Sequence, residues 1–255
     1  MRSRYLDLED RTQDLAELLR EEPLLAREFL RKYELSWIYH ESALEGVVYS
    51  GQELELALAN QPVTEASAVS AFRDIRNFKA AIDLIRAEAA GKKPKVSLAL
   101  VKKLNETIHA GIEARASADF RKEIPLHRAY FHEIAQPARI VAQLTKLLEW
   151  CESAEFRSSH PIQKASKLQH GFMQVYPYTE GSGKIARLLA NLLLIHGGYQ
   201  PCIIHTIDRQ RYYESLKQPE TSLRELMMES MENGIANGEK LFRHALAARA
   251  KRASR

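Results

Sequence analysis

The run Glu180-Gly-Ser-Gly-Lys184, continued by Ile-Ala-Arg187, has the residue types of an anion site. Small residues let a backbone approach a ligand closely. The unpaired N–H groups of a first helical turn, with the helix dipole behind them, favour negative charge at that point. Lys184, Arg187 and Asn191 recur at i, i+3 and i+7, opposite an apolar stripe of Ile185, Leu188, Leu189, Leu192 and Leu193. Gly181, Ser182 and Gly183 followed by two aligned cations make a cradle for phosphate. Glu180 beside them suits Mg²⁺, which binds through few carboxylates plus phosphate oxygens. The run is not a P-loop, because the spacing to a Gly-Lys-Ser/Thr is missing. The same residues also fit an ordinary turn before a solvated helix face, and spacing alone leaves both readings open.

The elements that must position this run read as helices. Leu24, Leu25, Phe29, Leu30, Tyr33, Trp37, Ile38 and Leu44 recur at three- and four-residue steps, predicting a long helix that ends at Gly46. A short helix is expected over 51–59, closed by Asn60-Gln-Pro62. Thr64 caps another through Phe72, Ile75, Phe78, Ile82 and Ile85, stopped at Gly91. Further helices are expected over 97–110, 138–152, 161–175, 183–196, 208–216 and 222–250. Between Ser117 and Pro137 the pattern changes. The stretch from Phe120 to His132, short, weakly alternating and interrupted by Pro125, suits a small β-hairpin or extended flap. The fold class is therefore all-α with one small flap, without internal repeats or linkers.

Bulk properties narrow the classes. A chain of 255 residues with 45% hydrophobic and 27% charged residues can bury a proper core. No apolar run reaches the roughly 20 residues that span a bilayer. The first residues contain no apolar signal region, so a cytoplasmic protein without membrane partners is expected. Cys151 and Cys202 lack metal-ligand spacing and read as reduced thiols. The net charge of +4 is mild, and the basic tail (Arg243, His244, Arg249, Lys251, Arg252, Arg255) reads as a solvated helix end, so nucleic acid is not an expected partner.

Tyr176-Pro-Tyr-Thr-Glu-Gly-Ser-Gly-Lys-Ile-Ala-Arg187 resembles the Fic (Fic/DOC) family signature H-P-F-x-D/E-G-N-G-R-x-x-R. The likeness extends to the preceding helix (Gln169–Val175), the following one (Arg187–Tyr199) and Arg211-Tyr-Tyr-Glu-Ser-Leu216, and covers residues 35–240. It implies a Fic fold, with a helical N-terminal region over 1–95, a core over 96–220, and a C-terminal helix and tail over 221–255. The nearest enzyme class is protein adenylyltransferase, which moves AMP from ATP to a protein hydroxyl. By resemblance Glu180 holds the metal, the 181–183 backbone holds phosphates, Arg187 holds the γ-phosphate, and Tyr213 lies near the adenine. Phe120, Arg121, Lys122, Glu123 and Ile124 resemble the target-docking flap. Tyr39-His-Glu-Ser-Ala-Leu-Glu-Gly46 is similar to the family's inhibitory helix, whose glutamate is Glu45 here and would pair with Arg187. Glu41 shares its face at i, i+4, so both can address Lys184 and Arg187.

Three signature positions differ. Tyr176 stands where the family has its catalytic His, Ser182 for Asn, and Lys184 for Arg. Imidazole titrates near ~6.5 and serves as a base at neutral pH, whereas phenol titrates near ~10 and stays protonated. Ser shortens a phosphate-side donor, and Lys loses the bidentate fork. The losses fall together on the transfer machinery. The expectation is a divergent, impaired site that keeps binding ATP or another nucleotide with Mg²⁺, is autoinhibited, and acts through a target or regulatory protein. The alternative is a working transferase held back by Glu45. His170, His196 and His205 read as packing residues. Donor, target and self-association are left open.

Overall fold

Eleven α-helices account for most of the computed structural model, which describes residues 2–59, 66–112, 119–126 and 132–253. They are α1 (Arg2–Glu21), α2 (Pro23–Leu44), α3 (Gly51–Leu58), α4 (Ala66–Ala89), α5 (Leu98–Ile108), α6 (Ile140–Glu152), α7 (Ala154–Ser158), α8 (Pro161–Val175), α9 (Ser182–His196), α10 (Arg209–Ser215) and α11 (Glu220–Ala253). The local signals behind them are plain. Pro23 and Pro161 occupy first turns, where their missing N–H costs nothing. Ser50 and Glu53 form a reciprocal capping box, and Ser97 accepts from the Leu100 N–H at 3.2 Å. The Thr64 cap and the 60–62 stop lie outside the described residues.

The centre of the molecule is α9. From Ser182 to Leu194 all its residues but Lys184 are buried, the pattern of a helix surrounded by others. It pairs most extensively with α8 and also packs on α4 and α5. On the far side of α8 lie α6 and α11, and α1 runs against α11. Arg4 and Arg11 tie α1 to Glu232 and Glu239 of α11, at 2.5 and 3.2 Å. Gly234 and Gly238 let α11 come close to its neighbours. A Cβ at Gly238 would meet Leu15 at 3.0 Å and the Phe29 ring at 3.2 Å, and one at Gly234 would meet the Tyr33 hydroxyl at 3.0 Å.

The sequence reading missed α1 and α7. Among the described residues there is no strand, so the described part of the expected β-hairpin is irregular chain; residues 127–131 lie outside the description. No helix is long and apolar enough to cross a membrane. Cys151 and Cys202 form no disulfide, and burial pushes both thiols up to about 12.

Candidate functional site: a phosphate cradle closed by two glutamates

The loop between α8 and α9 is shaped by its ends. Tyr176 caps α8 in the left-handed region (φ 47, ψ 65), its N–H bonded to the Phe172 carbonyl at 2.8 Å. Gly181 caps the start of α9 with φ 79. Glycine is required there twice over, because a Cβ would also lie 2.7 Å from Ile108 and 2.9 Å from His109. Ser182 ties the loop to itself: its hydroxyl donates to the Tyr178 carbonyl and accepts from the Tyr178 N–H, each at 2.8 Å. The hydroxyl is thus engaged inside the loop, and the part of Ser182 offered to a ligand is its backbone.

Behind the loop stands Arg121. Only 5% exposed, it bonds the carbonyls of Tyr176 (2.7 Å), Glu123 (3.0 Å), Val175 (3.3 Å) and Ala135, while its own N–H reaches the Pro177 carbonyl at 2.9 Å. The five residues expected to form one docking surface therefore divide. Arg121 is an internal staple, Phe120 packs half-buried on Tyr178 with ring centroids 5.5 Å apart, and Lys122, Glu123 and Ile124 face outward.

In front of the loop is a cavity of about 470 Å³. Tyr176, Glu180, Gly181, Lys184 and Tyr213 line it, together with Glu45, Asp74, His109 and Arg209. Glu180 is exposed at its edge, and no cluster of three or more metal-ligating side chains occurs among the described residues. That donor set fits Mg²⁺ held by one carboxylate and a ligand's phosphates. Lys184 is half-buried with its ammonium 5.8 Å from the Phe78 ring centroid. Asn191 faces elsewhere: its amide pairs with the Cys202 backbone at 2.7 and 3.1 Å.

Arg187, the cradle's deepest cation, is 3% exposed. Its Nε donates to Glu41 at 2.6 Å, one terminal nitrogen to Glu45 at 2.5 Å, and the other to the Tyr212 hydroxyl at 3.1 Å. Both glutamates come from the last turn and end of α2. Burial pulls the Arg187 pKa down, but Glu41, Tyr212 and Glu45 outweigh it and hold the guanidinium charged. Burial also raises Glu41 against the opposing pull of Arg187. Lys184 adds a weaker pull in the same direction on Glu41. Gly183 makes the closure possible, since a Cβ there would overlap the Glu45 carboxylate and lie 3.1 Å from the guanidinium.

Two further contacts fix the plug helix. The Leu44 carbonyl, an orphan acceptor at the end of α2, receives the Tyr213 hydroxyl at 3.1 Å and Arg209 Nε at 3.0 Å. One turn back, His40 Nδ1 accepts from the Thr206 N–H at 3.2 Å and the Thr206 hydroxyl at 2.8 Å, and its ring stacks on His205 at 4.3 Å. Sequence reasoning named Tyr213 and both glutamates but missed Tyr212, Arg209, His40, Asp74 and His109. Tyr212 and His40 stood inside quoted motifs without being given a role, and Arg209 stood just before one.

The fold and site thus define a helical protein whose α8–α9 loop borders a cavity and whose buried Arg187 is paired with two glutamates from the end of α2. Residues 95–194 match the model of the Fic/DOC family. The protein adenylyltransferase Fic of Aedes aegypti is 23% identical over 182 residues, 71% of this chain and 36% of its own length. Among solved structures, Fic-1 of C. elegans superimposes with a TM-score of 0.78 at 19% identity, over 94% of this chain and 72% of that one. A Fic domain containing signaling protein of Bacteroides thetaiotaomicron gives 0.74 at 19% identity, over 90% of this chain and 97% of that one. The chain spans about 36% to 42% of the length of the curated relatives it matches. The family match runs from residue 95 to residue 194, and the superpositions show that the chain shares the fold of these Fic proteins.

Proposed function

We propose that this protein binds ATP or a related nucleotide with Mg²⁺ at the α9 N-terminus, that Glu41 and Glu45 hold the site closed, and that AMP transfer is impaired. One observation carries the closed site: the cation assigned to the γ-phosphate is already claimed by two carboxylates. A phosphate arriving at Arg187 must displace at least Glu45, the more exposed of the two (23% against 4% for the side chains). The 181–183 amides receive the phosphate chain, Lys184 adds a point charge, Tyr213 borders the base, and Glu180 supplies a carboxylate for the metal. Impairment rests on Tyr176. A phenol 2% exposed, fixed as the cap of α8, is a poor acceptor for a target hydroxyl's proton at neutral pH. Action through a protein partner follows if transfer is lost while nucleotide binding and the outward face of Lys122–Ile124 are kept.

Calorimetry with ATP and Mg²⁺ tests the closed site. Glu45→Gly is expected to bind about tenfold or more tightly than the parent, the loss of a charge-assisted contact to Arg187 having that size. Equal affinities would sink the plug.

The second reading is a working adenylyltransferase restrained by Glu45. It is supported by the relatives' name, by Glu180 and Gly181 on the cavity wall, and by Gly183 and Arg187 on the helix that starts there. Radiolabelled ATP separates the readings: label appearing on protein with Glu45→Gly and lost with Tyr176→Phe favours the transferase. Absence of label alongside measurable ATP binding favours impairment, and Tyr176→His is then expected to raise transfer.

A further inference from the structure

One group in the cavity belongs to neither cradle nor plug. His109 is the C-cap of α5, 6% exposed, and its ring lines the same cavity as Glu180, Gly181 and Lys184. Its Cε1 and Nε2 lie 2.9 and 3.3 Å from where a Gly181 Cβ would stand. The imidazole therefore rests on the backbone of the residue that starts α9, beside the amides that would receive phosphate. Among the described residues it is the one imidazole lining this cavity. The charged groups facing it are Asp74 from α4, Glu45 from the end of α2, Glu180 from the loop, Lys184 from α9 and Arg209 from α10. Tyr176 and Tyr213 add phenols, neutral at physiological pH.

We infer that His109 is a phosphate contact of this site: in its protonated form it donates through Nε2–H to a nucleotide phosphate oxygen, so that binding takes up a proton. This rests on the nucleotide-binding reading above. The physical case has three parts. The ring is held between Gly181 and the body of α5 and cannot swing far from the amides. Free imidazole titrates near ~6.5, so a neighbouring polyanion suffices to charge it at neutral pH. The cavity's own ionised side chains are three acidic to two basic, and one acid, Glu45, is already committed to Arg187. Lys184 and Arg209 leave the cavity wall net acidic, so a polyphosphate that engages Arg187 and Mg²⁺ at one end still gains from a further cation beside the Gly181 amide. Tyr176 removed an imidazole from one side of the family's site; His109 brings one in from a different helix, for binding rather than for proton abstraction.

The test is calorimetry of ATP with Mg²⁺, and of tripolyphosphate, against Glu45→Gly and the double variant Glu45→Gly/His109→Gln between pH 5.5 and 8, in two buffers of different ionisation heat. Affinity of the single variant is expected to rise about tenfold more on acidification than that of the double, with net proton uptake, for both ligands. Identical pH dependence and proton uptake in both proteins would overturn the role of His109 and leave the nucleotide site standing. A difference seen with ATP but not with tripolyphosphate would overturn the phosphate contact. Failure of both proteins to bind either ligand would overturn the nucleotide site and His109 together. Should His109→Gln not fold, the histidine Cε1–H resonances of Glu45→Gly answer the same question. The His109 midpoint is expected to rise by about one pH unit on adding ATP; an unmoved midpoint refutes the contact.

Discussion

Charge counting at Arg187 sets very different costs for deleting the guanidinium and for neutralising one of its acids. Two carboxylates share one guanidinium, so deleting the guanidinium leaves two acids facing each other in a buried place. Arg187→Ala is expected to destabilise by about 3–5 kcal/mol, whereas Glu41→Gln, which leaves a neutral Arg187–Glu45 pair, costs about 1 kcal/mol or less. Chemical denaturation of the two variants checks the order, and an equal loss would refute the argument. Gly183 offers an independent handle. Gly183→Ala adds a methyl where the Glu45 carboxylate lies but gains roughly 1 kcal/mol of helix propensity, so stability changes little while Glu45 is pushed off Arg187. In that background a further Glu45→Gln is expected to leave the melting temperature unmoved; a clear additional drop would show that Glu45 had kept its contact. Glu45 and Arg187 were legible through the resemblance of their segments to the Fic family, and Glu41 through its i, i+4 spacing from Glu45. The engagement of the Ser182 hydroxyl and the Asn191 amide was not, because their partners are backbone groups of Tyr178 and Cys202, which no residue type announces.

At the scale of elements, the end of α2 is held by a titratable pair. His40 accepts two hydrogen bonds at Nδ1 and stacks on His205; burial, with His205 beside it, pushes its pKa down to about 4. A folded-state value below the free value means that the unfolded chain binds the extra proton first. The contribution is therefore complete above about pH 6.5 and is lost as the pH falls towards about 4. Exchange of the Thr206 amide, in the turn before α10, is expected to speed up relative to its intrinsic rate across that window more than that of the α10 amides, and His40→Gln should abolish the difference. Helices with wide apolar faces were readable to within a residue or two, and α8 was placed at Pro161–Val175 by its proline and its stop. α1 was not, since its fully buried apolar stripe is only Leu8 and Leu15 on an otherwise polar helix, and α7 has five residues. At the flap, alternation around Pro125 suits a hairpin or extended chain, and the described half, 119–126, is extended or irregular chain. Arg121 instead satisfies the carbonyls of its neighbours and leaves no strand among the described residues.

Across the whole molecule, α2 lies between the cradle at one end and the α1–α11 pair at the other. Phe29 and Tyr33 of its first half press on Gly238 and Gly234, and the Tyr33 hydroxyl reaches the Pro201 carbonyl at 2.6 Å. Gly238→Leu is expected to cost about 1–3 kcal/mol by overpacking against Leu15 and Phe29. If α2 moves as one rod, that variant also binds ATP more tightly than the parent, though it lies far from the cavity in sequence and structure; unchanged binding would mean that the two halves of α2 are uncoupled. The paired end of α2 matters for another reason. Arg209 and Tyr213 both reach the Leu44 carbonyl, and both line the cavity. Neither can hold that carbonyl and turn fully to a ligand at once. If the cavity takes a nucleotide as proposed, its occupancy and the posture of α2 are reciprocally linked. Whatever factor α2 subtracts from a ligand's affinity, a bound ligand subtracts from the grip on α2, so a partner protein that captures the released helix end would be sensing nucleotide without touching it.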